Sequence, residues 1–163
     1  LICALPRPQT LKKVLSISAT MQVRNLFFIK SEKVEKSYFH SPLLFEDNYS
    51  KYLVEGLSQG KQIFLPNVSF HNKFKIFFED EFHSKIYDRK LLAHPNSENN
   101  LLKIKFSEVN NLVVAIGPEG GWNNFEINFM QNLGFENFIL SKSILRVESA
   151  VTSVLSQIEL LFF

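Results

Sequence analysis

Apolar runs of strand length recur along this chain at residues 1–5, 26–29, 63–65, 91–93, 112–116 and 138–140. The stretches between most of them repeat their apolar residues with a period of about 3.6. Strands alternating with amphipathic helices are joined by crossovers, and crossovers return the chain parallel to itself. The pattern therefore predicts an α/β fold with a largely parallel sheet. No internal repeat and no Pro/Gly/Ser-rich linker interrupts it, and 163 residues, 45% of them hydrophobic, suffice for one domain with a sizeable core. The expected domain covers residues 1–163.

Local signals place the helices. Pro8 suits a first helical position, and the helix it opens should bury Leu11, Val14, Leu15 and Ser18. Ser41-Pro42 starts a second, with Phe45, Tyr49, Tyr52 and Leu53 as its buried stripe and Gly60 as its stop. Phe70, Phe74, Phe77, Phe78 and Phe82 stand at helical spacing and predict a third, whose aromatic stripe reads as core rather than as a stacking platform for bases. Asn123 and Glu126 form a capping-box signature for the next, with Phe125, Phe129, Met130 and Leu133 as its apolar face. A last helix from Val147 aligns Val151, Val154, Leu155, Ile158 and Phe162.

Composition narrows the function. The single cysteine, Cys3, excludes an internal disulfide, and with four scattered histidines it excludes a Cys/His zinc module, so no metal is expected. No window approaches the roughly 18 consecutive apolar residues of a membrane span, and no secretory signal precedes the first strand, so a cytoplasmic protein without a membrane partner is expected. The net charge is +2, but residues 1–40 hold Arg7, Lys12, Lys13, Arg24, Lys30, Lys33 and Lys36 against Glu32 and Glu35. Such an excess suits the approach of a polyanion, and equally a solvated helix face.

Two segments stand at the C-terminal ends of predicted strands, where ligands bind in α/β sheets. The first, VVAIGPEGGW (113–122), is a glycine-rich turn that lets backbone N–H groups approach a ligand. It is neither GxxxxGK[ST] nor GxGxxG, so it does not predict a phosphate cradle. Its carboxylate, Glu119, suits a ligand bearing positive charge or N–H donors. The second, ILSKSILRVESA (139–150), places Arg146 and Glu148 where the last strand passes into the last helix.

In this order, IGPEGGW and then ILRVESA closely resemble the methyltransferases that methylate N3 of a uridine in 16S rRNA, a branch of the SPOUT class of S-adenosylmethionine enzymes. The resemblance extends to LPRPQTLKKVLSISATMQVRNLFFI, to VEKSYFHSPL and to LLAHP at 91–95. It implies a SPOUT-type α/β domain with a C-terminal trefoil knot, one of the rare exceptions to unknotted chains. It also implies a homodimer, and the apolar end of the last helix (Leu160, Leu161, Phe162 and Phe163), more than one helix stripe needs, is expected near the contact. A β-rich RNA-binding domain precedes the LPRP segment in the family, and this chain begins a few residues before that segment.

Carried over by position, S-adenosylmethionine would be bound by Leu92, Ala93, His94 and Pro95, by Gly117, Pro118, Glu119, Gly120 and Gly121, and by Leu140, Ser141, Ile144, Leu145 and Arg146. The substrate implied is 16S rRNA within the small ribosomal subunit. Uracil N3 must lose a proton, so negative charge develops on the ring. Arg146 is expected to stabilise that charge and Glu148 to orient Arg146. Two departures mark this chain. Leu140-Ser141-Lys142-Ser143 stands where the family usually shows Leu-Gly-x-Arg, and Met21-Gln22-Val23 where it shows Leu-Gly-Val. The alternative reading is an inactive RNA-binding or ribosome-assembly module that keeps the fold. A dinucleotide-dependent oxidoreductase is disfavoured, because no glycine fingerprint follows the first strand.

Overall fold

The computed structural model describes residues 1–106 and 108–162, and for Ser84 its backbone alone. Phe163, expected near a dimer contact, lies outside the described residues. Six strands form one sheet: β1 (Ile2–Ala4), β2 (Asn25–Ile29), β3 (Asn67–His71), β4 (Arg89–Ala93), β5 (Leu112–Ile116) and β6 (Glu136–Phe138). Their order is β3-β2-β1-β5-β4-β6, and every neighbouring pair is parallel. The central strands are buried almost end to end, as the two covered faces of a parallel sheet require.

Helix α1 (Pro8–Thr20) opens on Pro8 and buries Leu11, Val14, Leu15 and Ser18 as its spacing demands. It packs on α2 (Glu46–Gly60), where the two backbones come unusually close. A Cβ on Gly56 would sit 2.1 Å from the carbonyl oxygen of Ser16, and one on Gly60 would sit 2.6 Å from that of Thr20. The helix ends at Gly60 as expected, but Gly60 serves the contact between helices, and Lys61, at φ 54°, takes the left-handed position after it. Phe45 lies just before the helix and is exposed instead of heading its buried stripe.

Two other expectations fail for one reason, that an apolar run does not reveal its own partner. Residues 63–65 are not a strand: Ile63, Phe64 and Leu65 are exposed in the connection, and the third strand forms at Asn67–His71. The aromatic stripe is not one helix. Phe70 belongs to β3, α3 (Phe74–Ile76) is a single turn, and Phe77–Glu81 is a wider turn closed by the Phe82 N–H on the Phe77 carbonyl at 2.7 Å. The rings still build core, since Phe77, Phe78 and Phe82 are buried and interlock with Phe27 and Phe135. Glu81 Oε2 ties this turn to the edge strand through His71 Nδ1 at 2.7 Å, and His71 Nε2 meets Ser69 Oγ at 2.8 Å.

Helix α4 (Asn124–Asn132) carries the expected capping box, with the Glu126 N–H on Asn123 and the Asn123 N–H on Glu126. The other Glu126 oxygen accepts the backbone N–H of Glu32 at 2.8 Å, which fixes the segment after β2 against the start of α4. Buried Glu126, Ile127 and Met130 form the inner face, whereas Phe125 is half exposed. Helix α5 (Val147–Phe162) buries Val151 and Val154, and its end leaves Leu160 and Phe162 exposed.

Candidate functional site

The C-terminal ends of β4, β5 and β6 open onto one cavity of about 330 Å³. From β4 the chain supplies Ala93, His94, Pro95 and Asn96; from β5 it supplies Ile116 to Trp122; from β6 and the start of α5 it supplies Leu140, Ser141, Ser143, Ile144, Leu145, Val147 and Ala150. The β4 loop is held to the segment after β6 by backbone bonds, and α5 is held to that segment by a side chain. The His94 N–H donates to the Phe138 carbonyl at 2.9 Å and the Ile139 N–H to that of Asn99 at 2.6 Å. The Gln157 amide of α5 reaches the Leu140 carbonyl at 3.3 Å.

The wall chemistry is specific. Among the described residues no lysine or arginine lines this cavity, and its one acidic side chain is the exposed Glu119. His94 has its pKa lowered by burial, and its Nδ1 accepts the Asn96 N–H at 3.1 Å, which leaves the proton of the neutral ring on Nε2. The indole N–H of buried Trp122 has no hydrogen-bond partner among the described residues. Gly117 exists to admit that ring: a Cβ there would lie 3.1 Å from Trp122 Nε1. Gly121, at φ 70°, turns the loop through a backbone region that glycine enters without strain. At the rim Ile144 is 88% exposed, an apolar group left for something to cover.

A second depression of about 440 Å³ adjoins the first, lined by Arg7 and Thr10 from the start of α1, by Lys33, Glu35 and Tyr38 from the segment after β2, and by Glu119, Arg146, Val147 and Glu148. The ammonium of Lys33 donates to the Gly120 carbonyl at 2.7 Å, clasping the glycine-rich loop from this side. Glu148 does not pair with Arg146. It takes Lys13 at 3.1 Å, and its carboxyl is held below the usual range first by its own backbone N–H and then by Lys13.

Of the residues expected to bind the methyl donor, Leu92 is fully buried inside β4 and lines neither hollow, and Arg146 lines the second hollow instead of the first. The others named for that role line the cavity. Sequence reasoning missed Asn96, Trp122, Val147 and Ala150 in the cavity, and Arg7, Lys33, Glu35 and Tyr38 in the second depression. The last four lie far from the glycine-rich loop in sequence; the local basic excess and the resemblance of the segments LPRP and VEKSYFHSPL drew attention to their neighbourhood without giving them a role.

The profile of an RNA methyltransferase domain family matches residues 1–159. The chain belongs to this RNA methyltransferase family. Its relatives include ribosomal RNA small subunit methyltransferase E 1 of Borreliella burgdorferi, 29% identical over 88% of this chain and 59% of that protein. The corresponding methyltransferase E of Treponema pallidum is 25% identical over 92% of this chain and 57% of that protein. The chain thus spans under two thirds of the length of these relatives. In fold it is similar to a crystal structure of ribosomal RNA small subunit methyltransferase E from Neisseria gonorrhoeae bound to S-adenosyl methionine. That likeness has a TM-score of 0.82 at 20% identity and covers 98% of this chain and 64% of that one. The SpoU methyltransferase AviRb of Streptomyces viridochromogenes shares the fold more loosely, at a TM-score of 0.58 and 12% identity over 96% of this chain and 56% of that one. Neither gap in the sequence pattern disturbs the family fold. Gln22 takes the φ of 57° that a glycine would take there, and Ser141 is not among the residues with positive φ.

Proposed function

We propose that this domain transfers a methyl group from S-adenosylmethionine to N3 of a uridine in 16S rRNA of the small ribosomal subunit, in the cytoplasm. The observation that carries the reading is a cavity built by three strand ends in which, among the described residues, Glu119 is the one acidic side chain and no lysine or arginine appears. Phosphate-bearing cofactors want cations or an anion cradle, whereas a ligand that is itself a cation, with an adenine edge, wants apolar walls, exposed backbone groups and one negative charge. The cavity volume falls at the lower end of small-molecule sites, and the unpartnered Trp122 N–H and exposed Ile144 are groups that a ligand would satisfy and cover. When bound, the donor supplies an electrophilic methyl group on sulfonium. Arg146, in the adjoining depression, faces the place where a ring bearing negative charge would sit.

The working unit is a homodimer, which gives the exposed Leu160 and Phe162 of α5 a place to be buried. The family resemblance further implies that the C-terminal segment is knotted. The family relatives are named as methyltransferases of the small subunit, which favours 16S rRNA as the acceptor.

Calorimetric titration tests donor binding, and Trp122, the only tryptophan of the chain, supplies a second readout by its emission. S-adenosylmethionine and S-adenosylhomocysteine should bind and shift that emission, while ATP and NAD should not. Binding of NAD with no response to either methionine derivative would overturn the reading. Binding of both derivatives without methylation of small subunits lacking the modification would favour the inactive RNA-binding module.

A further inference from the structure

The two hollows share one ionisable side chain. Glu119 stands on the partition, lining both the donor cavity and the second depression, while every other charged group lines the depression alone. Three carboxylates border the depression, and their surroundings separate them. Glu148 is engaged by Lys13 and by its own backbone N–H. Glu35 accepts from Ser37 at 3.4 Å and does not reach the donor cavity. Glu119 is exposed and has no hydrogen-bond or ion-pair partner among the described residues, and the loop that bears it is held by Lys33 on the Gly120 carbonyl.

We propose that Glu119 is a catalytic residue and the determinant of base choice: it accepts the N3–H of the acceptor uridine seated in the depression and takes its proton. This rests on the methyl-transfer reading above. The Watson–Crick edge of uracil presents one N–H between two carbonyl oxygens. A carboxylate opposite the N–H, with cations such as Arg146 and Arg7 for the ring oxygens, matches that edge group by group. Cytosine carries a lone pair at N3, which a carboxylate repels. In the transfer, the N3–H bond breaks and its proton passes to a Glu119 carboxylate oxygen. The electron pair left on N3 forms the new N–C bond as the carbon–sulfur bond of the sulfonium breaks, with its pair remaining on sulfur. The negative charge that develops on the ring falls among Arg7, Lys33 and Arg146, which line the same hollow.

The test uses short ribo-oligonucleotides identical except for one position, which carries uridine, cytidine or N3-methyluridine. Affinity is measured by fluorescence anisotropy, with and without saturating S-adenosylhomocysteine. The unaltered chain should prefer uridine over both others by about tenfold, the size expected of one charge-assisted hydrogen bond. Glu119→Ala should abolish the preference, and Glu119→Gln, which keeps the shape and can turn its N–H₂ toward the cytosine lone pair, should shrink it or reverse it toward cytidine. Single-turnover methylation of small subunits at saturating donor should fall by about 100-fold or more in Glu119→Gln. A retained uridine preference in Glu119→Ala, or no preference in the unaltered chain, overturns the proposal. Failure to take up S-adenosylhomocysteine would instead bring down the methyl-transfer reading, and base preference without it would still judge Glu119.

Discussion

Replacing Gly56 by alanine should loosen the clasp between α1 and α2, although alanine is the better helix former. An added Cβ would lie 2.1 Å from the Ser16 carbonyl oxygen, 2.9 Å from its carbon and 3.0 Å from the Ala19 Cβ. Ordinary contacts between such atoms are about 3.5 Å or more, so the helices must part by roughly 1 Å, and the obstacle is backbone that no rotamer change can remove. Overpacking of this kind costs up to about 3 kcal/mol. Parting the helices also weakens the hydrogen bond from Thr20 Oγ1 to the Gly56 carbonyl, now 3.0 Å, at a net cost of about 1 kcal/mol. Alanine returns about 1 kcal/mol of helix propensity, which leaves a net loss of about 3 kcal/mol. For a domain of this size that is a fall in Tm of about 6–12 °C. Urea and thermal unfolding of Gly56→Ala measure it, with Gly121→Ala as the control. Nothing lies within 4 Å of a Cβ at Gly121, so its cost comes from its positive φ alone, about 1–2 kcal/mol. A Gly56→Ala chain as stable as the parent would refute the argument. Because α1 brings Arg7, Thr10 and Lys13 to the site, the same variant should also disturb the second depression.

Gln22→Gly should stabilise the fold by about 0.5–1 kcal/mol in urea unfolding, since relief of the left-handed strain at φ 57° exceeds the extra freedom glycine gives the unfolded chain; no gain would show that Gln22 is unstrained. Glu148→Gln should destabilise by less than about 1 kcal/mol near neutrality, because Lys13 is largely exposed and solvent screens the pair. The folded carboxyl titrates below the unfolded one, so its contribution is present above the unfolded pKa and is lost as pH falls through the folded value. Unfolding free energies measured from pH 6 to about pH 3 should therefore bring parent and variant together at the acid end, and a gap that widens there would reverse the sign assigned to Glu148.

The sheet was legible where burial and pattern coincide. Five of the six apolar runs overlap strands, because a strand covered on both faces reads as a continuous apolar run. The run at residues 63–65 has the same composition and is exposed, while the strand that forms instead, Asn67–His71, lies at the sheet edge, is only partly buried and so shows no such run. The packing role of Gly60 and the strand position of Phe70 were hidden for a similar cause. Glycine frees the chain both to turn and to approach a neighbour, and five phenylalanines in a row of the right spacing fit a helix or a strand followed by turns. Only the partner decides between the alternatives: the Thr20 carbonyl for Gly60, and Phe28 for Phe70.

The site divides along the same line. Loops that leave strand ends in a parallel sheet converge because the strands do, so the segments 113–122 and 139–150 could be placed at strand ends from the chain itself, whereas residues 93–95 and the grouping of all three loops came only with the family resemblance. The roles of Arg146 and Glu148 could not be settled that way, because adjacency in sequence suggests a pair while a helix entrance turns the two side chains apart. Glu148 faces α1 and takes Lys13, which leaves Arg146 to the depression and puts Glu119 between the two hollows. The lysine that secures this arrangement is Lys33, from the segment after β2. That segment is itself pinned by the Glu32 N–H on the capping carboxylate of α4. One glutamate, Glu126, thus caps the helix that follows the glycine-rich loop and anchors the segment that clasps it, so the position of Glu119 depends on both ends of the loop being held at once.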